Sequence, residues 1–316
     1  MMLAGEGYMG RILDISMGYD CNAWCDYCTI TPLMRGRELS TEAIKAELRL
    51  GQSASAGGRP YTQVRFGGGE PTIRADLPTL IREARLLGYR EIEVQSNGLR
   101  YANADYVSAL EKAGVTSFAI SVMSHLPELY ESITGVPRSR DLVLAGIAHI
   151  LRLGTTAPRA RAPHLTADVI MKRDTYRHLP ALVEFYVARG VKAFVLWLVS
   201  LSDRNAAFPD SLVPVREMRP SIETACRIGR ERGASVRSRH IPRCMLPSLG
   251  EEHFELTLFE AVTVVTPEER FELRDSLISA NRYLPVCERC RARARCAGVR
   301  ADYLDHVGAS EVVPLP

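Results

Sequence analysis

Apolar positions along the chain fall into two alternating rhythms. Helix-period stretches close on glycine, and a short apolar run follows within two or three residues. LIREARLLGYREIEVQ does this at Gly88, ALEKAGVTSFAISV at Gly114 and LVEFYVARGVKAFVLWLV at Gly190. A helix ending at Leu153-Gly154 leads, after a Pro- and Arg-rich insert, into LTADVIM. Glycine just past a helix supplies the left-handed backbone that stops it. The pattern predicts strands at 11–16, 62–66, 91–95, 117–122, 166–171 and 193–199. They are short and largely apolar, as expected of strands covered on both faces. Strands alternating with helices predict parallel βαβ units, six of them, and an α/β fold with too few strands to close an eight-stranded barrel.

The rhythm stops near residue 200. Residues 201–220, LSDRNAAFPDSLVPVREMRP, are broken by prolines and read as a linker or a lid. A helix is expected over roughly 217–232 with Gly233 as its stop, and no βα unit is expected after it. This predicts two domains, 1–210 and 211–316, the second smaller and rich in cysteine.

Composition narrows the class without naming it. The chain has 316 residues, 46% hydrophobic and 24% charged, with a formal net charge of +3. That charge is too mild to imply a nucleic-acid partner, and no basic stripe interleaves with aromatics. No apolar run reaches the roughly 18 residues that span a bilayer. The start, MMLAGEGYMGR, lacks a basic then apolar signal pattern, so the expectation is a cytoplasmic protein. Eight cysteines in such a chain argue for metal binding over disulfides.

Cys21, Cys25 and Cys28 lie in CNAWCDYC, a C-x3-C-x2-C triplet just after the first strand. Three neighbouring thiolates cannot all pair as disulfides, but they can wrap a cluster and leave one corner open. The spacing resembles the signature of the radical S-adenosylmethionine (radical SAM) superfamily. Tyr27 matches its aromatic position, Gly68-Gly69-Glu70-Pro71 its GGEP element, and Ser96-Asn97-Gly98 and Ser121 its later strand-end positions. The resemblance covers roughly residues 10–200. It implies a partial (β/α)6 barrel with its chemistry at the carboxyl ends of the strands. It also implies that the triplet holds three irons of a [4Fe–4S] cluster and that S-adenosylmethionine (SAM) chelates the fourth. Reductive cleavage of SAM then yields a 5′-deoxyadenosyl radical that abstracts a substrate hydrogen atom.

From the same resemblance, Gly67, Gly68 and Gly69 are expected at the methionyl amino group of SAM. Ser96, Asn97 and Ser121 are expected at its carboxylate or ribose, and Tyr27 beside adenine. Glu70 is either part of that site or a structural ion pair. Trp24 is expected to shield the cluster from water.

The second set, CERCRARARC, is C-x2-C-x5-C: Cys287, Cys290 and Cys296, with Cys244 as the natural fourth ligand. Four thiolates suit zinc. The string also resembles part of the SPASM motif, which implies an auxiliary [4Fe–4S] cluster. The full motif continues with a further cysteine where this chain has Arg300, so a shortened, twitch-like, single-cluster domain is expected. Its arginines read either as a solvated loop or as charge compensation for a cluster. Cys226 remains, mid-helix in SIETACRIGRER; its readings are core packing, hydrogen-atom donation to a substrate radical, or replacement of Cys244. None of the seven histidines forms a paired metal motif.

These readings predict an enzyme with two [4Fe–4S] clusters and SAM, reduced by a flavodoxin or ferredoxin. The expected substrate is a peptide or natural-product precursor, undergoing oxidation, cyclisation or epimerisation. The alternatives are a sugar, nucleoside or amino-acid substrate, or a non-enzymatic zinc or iron–sulfur module. The molybdenum-cofactor cyclase branch also carries an auxiliary cluster, but its glycine-rich tail is expected where this chain ends EVVPLP.

Overall fold

Alternation along the strands sorts their side chains into two faces. A computed structural model describes residues 11–53, 60–156, 163–254, 262–273 and 281–316. The strands β1 (Arg11–Ser16), β2 (Tyr61–Gly67), β3 (Glu91–Ser96), β4 (Ser117–Ser121), β5 (His164–Met171) and β6 (Ala193–Leu198) pair in order, all parallel. Between them run α1 (Thr41–Gln52), α2 (Leu77–Leu87), α3 (Ala104–Ala113), α4 (Pro127–Thr134), α5 (Ser139–Thr156) and α6 (Leu179–Val187). One face of each strand is apolar: Leu13 and Ile15, Val64 and Phe66, Ile92 and Val94, Phe118 and Ile120, Val169 and Met171, Phe194 and Leu196. These join the inward stripes of the helices, such as Ile44 and Leu48 of α1, in one core.

The other face is polar. Because Cβ direction reverses at each residue, it collects Asp14, Arg65, Glu93, Gln95, Ser121, Asp168 and Trp197. The expectation of strands apolar on both faces therefore holds for one face only. Asp14, Arg65 and Glu93 stand side by side in register. The Arg65 guanidinium bridges Asp14 at 2.9 Å and Glu93 at 2.5 Å. A buried cation is tolerable only with such partners.

Helix stops follow the glycine pattern: Gly114, with φ of +119°, donates its N–H back to Leu110 and Glu111. Ser40 opens α1 by accepting from the Ala43 N–H at 3.1 Å, a cap contributing about 1 kcal/mol. The Pro- and Arg-rich insert lies largely outside the described residues.

The sheet does not end at residue 200. Two 3-10 turns, Asp203–Ala207 and Pro209–Ser211, precede α7 (Val215–Glu231), and β7 (Ser235–Arg239) then adds in parallel to β6. The expectation of no further βα unit is thus corrected. SVRSR hides its strand because only Val236 and Ser238 are buried. At the opposite edge β8 (Val262–Val265) pairs in parallel with β1, and β9 (Arg270–Glu272) returns antiparallel. The sheet has nine strands in the order β7-β6-β5-β4-β3-β2-β1-β8-β9. Hydrogen bonding continues across the position where the sequence predicts a domain boundary, since β7 and β8 both belong to this sheet. Among the described residues no helix is long and apolar enough to cross a membrane.

The last segment forms a small ribbon, β10 (Asn281–Arg282) against β11 (Val299–Arg300), followed by α8 (Ala301–His306). Arg300 pins it to the sheet. Its side chain is 2% exposed and donates to the carbonyls of Leu198 and Val199, each at 2.8 Å, and to Asp302. Asp302 in turn accepts from the Leu201 N–H at 2.9 Å. Burial alone would raise the Asp302 carboxyl, but Arg300 and the N–H groups of Leu201 and Tyr303 outweigh it and hold the group below its usual range.

Replacing Arg300 by Ala strands Asp302 and the carbonyls of Leu198 and Val199, and denaturant titration should show a loss of about 3–5 kcal/mol. The wild-type pair contributes fully above the ordinary Asp value of about 3.9. That contribution should disappear as pH falls through the lower folded value, so the stability gap between wild type and variant should close under acid.

Candidate active site and thiol clusters

Parallel strands put all their carboxyl ends at one edge, and the loops that leave this edge carry the cysteines. The loop after β1 is closed at its base: Gly18 bridges Glu38, and Leu39 donates to the Met17 carbonyl at 3.0 Å. Inside it Cys21, Cys25 and Cys28 are half-buried, and each thiol lies within electrostatic reach of another. The Ala23 N–H donates to Cys21 Sγ at 3.4 Å, and Asn97 Nδ2 approaches the same sulfur at 3.7 Å. The Tyr27 hydroxyl hydrogen-bonds the Cys25 thiol. Burial, then the charge of Cys28, pushes the Cys25 thiol up to about 12, and burial raises Cys21 as well.

Every neighbouring strand end holds this loop. From the β2 end, Gly69 N–H donates to the Gly18 carbonyl at 2.7 Å and Glu70 N–H to the Asp20 carbonyl at 2.8 Å. A Cβ on Gly69 would overlap the Asp20 carbonyl, and one on Gly68 (φ +112°) would strike the Gly18 carbonyl. These glycines are required by the approach of the chain's own loop. From the β5 end, Lys172 (4% exposed) pairs with Asp26 at 3.0 Å and Asp174 at 2.6 Å. From the turn after β6, Arg204 Nη1 donates to the Cys25 carbonyl at 2.8 Å. Within the loop, Arg35 donates to the carbonyls of Cys21 at 2.8 Å and Ala23 at 3.0 Å. Trp24 is 45% exposed, with Arg35 and Arg204 both over its ring. It therefore carries two cations.

Among the described residues Glu70 has no cationic partner. Its buried carboxylate accepts from the Thr72 N–H and hydroxyl at 3.0 and 2.5 Å, from Ser96 Oγ at 2.7 Å and from the Asn97 N–H at 2.7 Å. Burial pushes this carboxyl above its usual range in spite of these donors. Ser96 is likewise buried and already accepts from the Gly98 N–H at 3.0 Å. The geometry thus has Ser96 bracing Glu70. Asn97 reaches the thiol loop itself, donating to Asn22 Oδ1 at 2.7 Å. Ser121 lies half-buried at the end of β4, its carbonyl accepting from Tyr130. Gly67 carries the carbonyl that receives the Met17 N–H.

The second thiol set hangs from the same edge. Cys244 follows β7, and the structure brings it to Cys287, Cys290 and Cys296. Burial, then the other three thiols, pushes Cys244 up to about 12. Cys244, Cys290 and Cys296 border a cavity of about 50 Å³ that His240, Arg243 and Arg295 also line. Among the described residues no three His, Cys, Asp or Glu side chains converge tightly enough for one metal ion. Cys226 is elsewhere: it is buried in α7, with Sγ 4.0 Å from the Val236 carbonyl near the start of β7. It faces the core between helix and sheet, away from the strands' carboxyl ends. Of its three expected readings, this position favours core packing.

Residues 15–186, more than half of the chain, match the Radical SAM superfamily. The chain belongs to the radical SAM superfamily. Among curated relatives, GTP 3′,8-cyclase 1 of Mycobacterium tuberculosis is 30% identical over 195 residues, 59% of this chain and 50% of the relative. A probable GTP 3′,8-cyclase of Metallosphaera sedula is 34% identical over 139 residues, 43% of this chain and 41% of the relative. A 7,8-dihydro-6-hydroxymethylpterin dimethyltransferase of Methanocaldococcus jannaschii is 32% identical over 108 residues, 34% of this chain and 21% of the relative. The chain thus spans about half the length, or less, of these relatives. In fold it resembles Streptococcus suis SuiB bound to S-adenosylmethionine, with a TM-score of 0.66 and 15% identity over 96% of this chain and 76% of that one. It resembles anSMEcpe with bound AdoMet and a Kp18Cys peptide equally well, with a TM-score of 0.66, 13% identity, and 96% and 92% coverage.

The first thiol set fits the superfamily's [4Fe–4S] cluster. Three thiols on one loop suit three irons, and burial, which favours the neutral thiols of Cys21 and Cys25, means that a cationic core must supply the charge that keeps those two thiolates. Arg35 Nε, buried with no partner in the structure, is a further donor aimed near that loop. Sequence reasoning missed Arg35, Lys172, Arg204 and the inner-face Asp168. Each is a lone charged residue without spacing, and its role exists only once distant strand ends meet.

Two substitutions separate bracing from chemistry. Glu70→Ala leaves buried donors on Thr72, Ser96 and Asn97 unpaired. It should cost about 1–3 kcal/mol by thermal denaturation, with Glu70→Gln milder. Cys226→Ala should leave SAM cleavage within about twofold of wild type while lowering stability by about 1 kcal/mol, the cost of a small core cavity.

Proposed function

We propose that this chain cleaves SAM reductively and abstracts a hydrogen atom from a peptide or natural-product precursor, oxidising, cyclising or epimerising it. The observation that carries the reading is the braced three-thiol loop at the mouth of a half-barrel whose inner face is polar. When bound, the cluster and SAM supply the hydrogen-abstracting radical. The protein's own residues bind, orient and exclude water. Cys21, Cys25 and Cys28 hold the cluster; Gly67, Gly68, Gly69 and Asn97 meet the amino-acid end of SAM, and Tyr27 and Ser121 its nucleoside end. Glu70 and Ser96 fix the loops that do so.

The substrate meets the inner face. There Gln95 Nε2 donates to Asp168 Oδ2 at 3.0 Å, Arg239 stacks on Trp197 at 4.0 Å, and burial raises the Asp168 carboxyl to about 6. Residues 211–316 carry the auxiliary site, where Cys244, Cys287, Cys290 and Cys296 hold a second [4Fe–4S] cluster. A flavodoxin or ferredoxin supplies the electron. The peptide reading is supported by fold neighbours solved with peptides, among them SuiB bound to its precursor peptide SuiA. A second reading, a small nucleotide-like substrate, is favoured by the relatives that are GTP 3′,8-cyclases and by the density of charge on the inner face.

Anaerobically purified protein should contain about eight irons and matching sulfide, two cubes' worth. With dithionite and SAM it should form 5′-deoxyadenosine. Replacing Cys21, Cys25 and Cys28 by Ala should leave about four irons and abolish cleavage; persistent cleavage would overturn the reading. About four irons plus one zinc in wild type would make the C-terminal site a zinc site. Stimulation of cleavage by GTP, set against candidate precursor peptides, separates the two substrate classes.

A further inference from the structure

We propose that Arg35 and Arg204 are positioning residues that raise the electron affinity of the cluster bound at Cys21, Cys25 and Cys28, with Trp24 holding the two guanidiniums in place. The proposal rests on the radical SAM reading and adds to it a pair of groups from opposite parts of the chain.

Arg35 belongs to the thiol loop. Its Nη1 and Nη2 donate to the Cys21 and Ala23 carbonyls at 2.8 and 3.0 Å, and its Cζ lies 4.1 Å from the centre of the Trp24 ring. Its Nε is buried with no hydrogen-bond partner in the structure. Arg204 arrives from the turn that follows β6. Its backbone N–H donates to the Thr29 carbonyl at 3.2 Å, its Nη1 to the Cys25 carbonyl at 2.8 Å, and its Cζ lies 5.3 Å from the same indole. Guanidiniums thus cap the carbonyls of two of the three cluster-binding cysteines.

The two charges also differ from the other cation at this mouth. Lys172 is neutralised by Asp26 and Asp174. Neither Arg35 nor Arg204 has a carboxylate partner among the described residues, so their charge is not cancelled locally. Cation–π stacking on Trp24 holds them without neutralising them.

Charge bookkeeping gives the direction. One electron passes from an external low-potential donor, dithionite in the test below, and makes the occupied site one unit more negative. No proton moves and no bond to arginine forms. Two fixed positive charges in a half-buried loop favour that reduced form, and the interaction is stronger than in water because the surrounding dielectric is lower. Hydrogen bonds and charge near the sulfurs are recognised levers on such potentials. Both arginines sit on a loop whose indole is partly exposed, so their effect should also weaken at high salt.

The test is anaerobic potentiometry of the full chain, following the EPR signal that SAM addition perturbs. Arg204→Gln and Arg35→Gln should keep wild-type iron and sulfide, yet each should lower the reduced-to-oxidised ratio at fixed potential about tenfold, or about 59 mV for a one-electron couple. Arg204→Lys, which keeps the charge, should recover most of the loss. An unchanged ratio in both glutamine variants with full iron overturns the proposal. If the glutamine variants fail to retain iron, Arg204→His decides. Its ratio should fall, relative to wild type, as pH rises through the imidazole value of about 6.5; a pH-independent difference overturns the proposal. A SAM-sensitive signal that survives replacement of Cys21, Cys25 and Cys28 would instead overturn the reading on which it rests.

Discussion

The active end of this molecule depends on one close approach, the backbone of residues 18–20 lying directly against Gly68 and Gly69. No side chain fits between them, and the N–H groups of Gly69 and Glu70 donate to the carbonyls of Gly18 and Asp20 as if a strand pairing had continued beyond the sheet. This contact fixes where the first cysteine leaves the mouth. Glu70 extends the same restraint to the next strand by gathering donors from Thr72, Ser96 and Asn97 around one buried carboxylate. A buried carboxylate is costly to leave unpaired, so the loops that satisfy it cannot drift independently. These bonds tie the thiol loop to the strand ends beside it.

The sheet divides labour between its faces. Helices cover one face with Val, Ile, Leu and Phe, and that burial supplies the stability. The other face spends part of it on Asp14, Arg65, Glu93, Gln95 and Asp168. Cross-strand pairing satisfies most of these groups, as Arg65 shows between its two carboxylates. The unusual member is Asp168, which burial raises towards neutrality while Gln95 holds one of its oxygens. A face built this way suits a polar ligand, for an apolar one would leave these groups without water or partners.

At the other edge, Arg300 joins the C-terminal ribbon to the sheet. Where the longer cysteine motif places another thiol, this chain has a guanidinium that grips the end of β6 and, through Asp302, the start of the turn carrying Arg204. The same few residues therefore attach the C-terminal thiols to the sheet and the sheet to the first thiol loop. The two cysteine sets lie at loops from one edge because β1 and β7 run in the same direction, although six strand pairings separate them.

The amino-acid order alone determined the repeating βα units, the cysteine spacings and the GGEP element. Each is a local pattern, in which a helix stop, an apolar run or a pair of nearby thiols has physical meaning without knowledge of distant partners. It did not reveal β7, whose sequence SVRSR is mostly polar, because its polar residues face the open side of the sheet and only its register with β6 makes it a strand. Nor did it separate Ser96, which braces Glu70, from Asn97, which reaches the thiols, or place Cys226 in the core between α7 and β7. Those outcomes, like the meeting of Arg35 and Arg204 over Trp24, were decided by which side of a strand or helix each group occupies after distant segments pack. A lone charge or thiol carries no periodicity, so only the tertiary structure assigns it a partner.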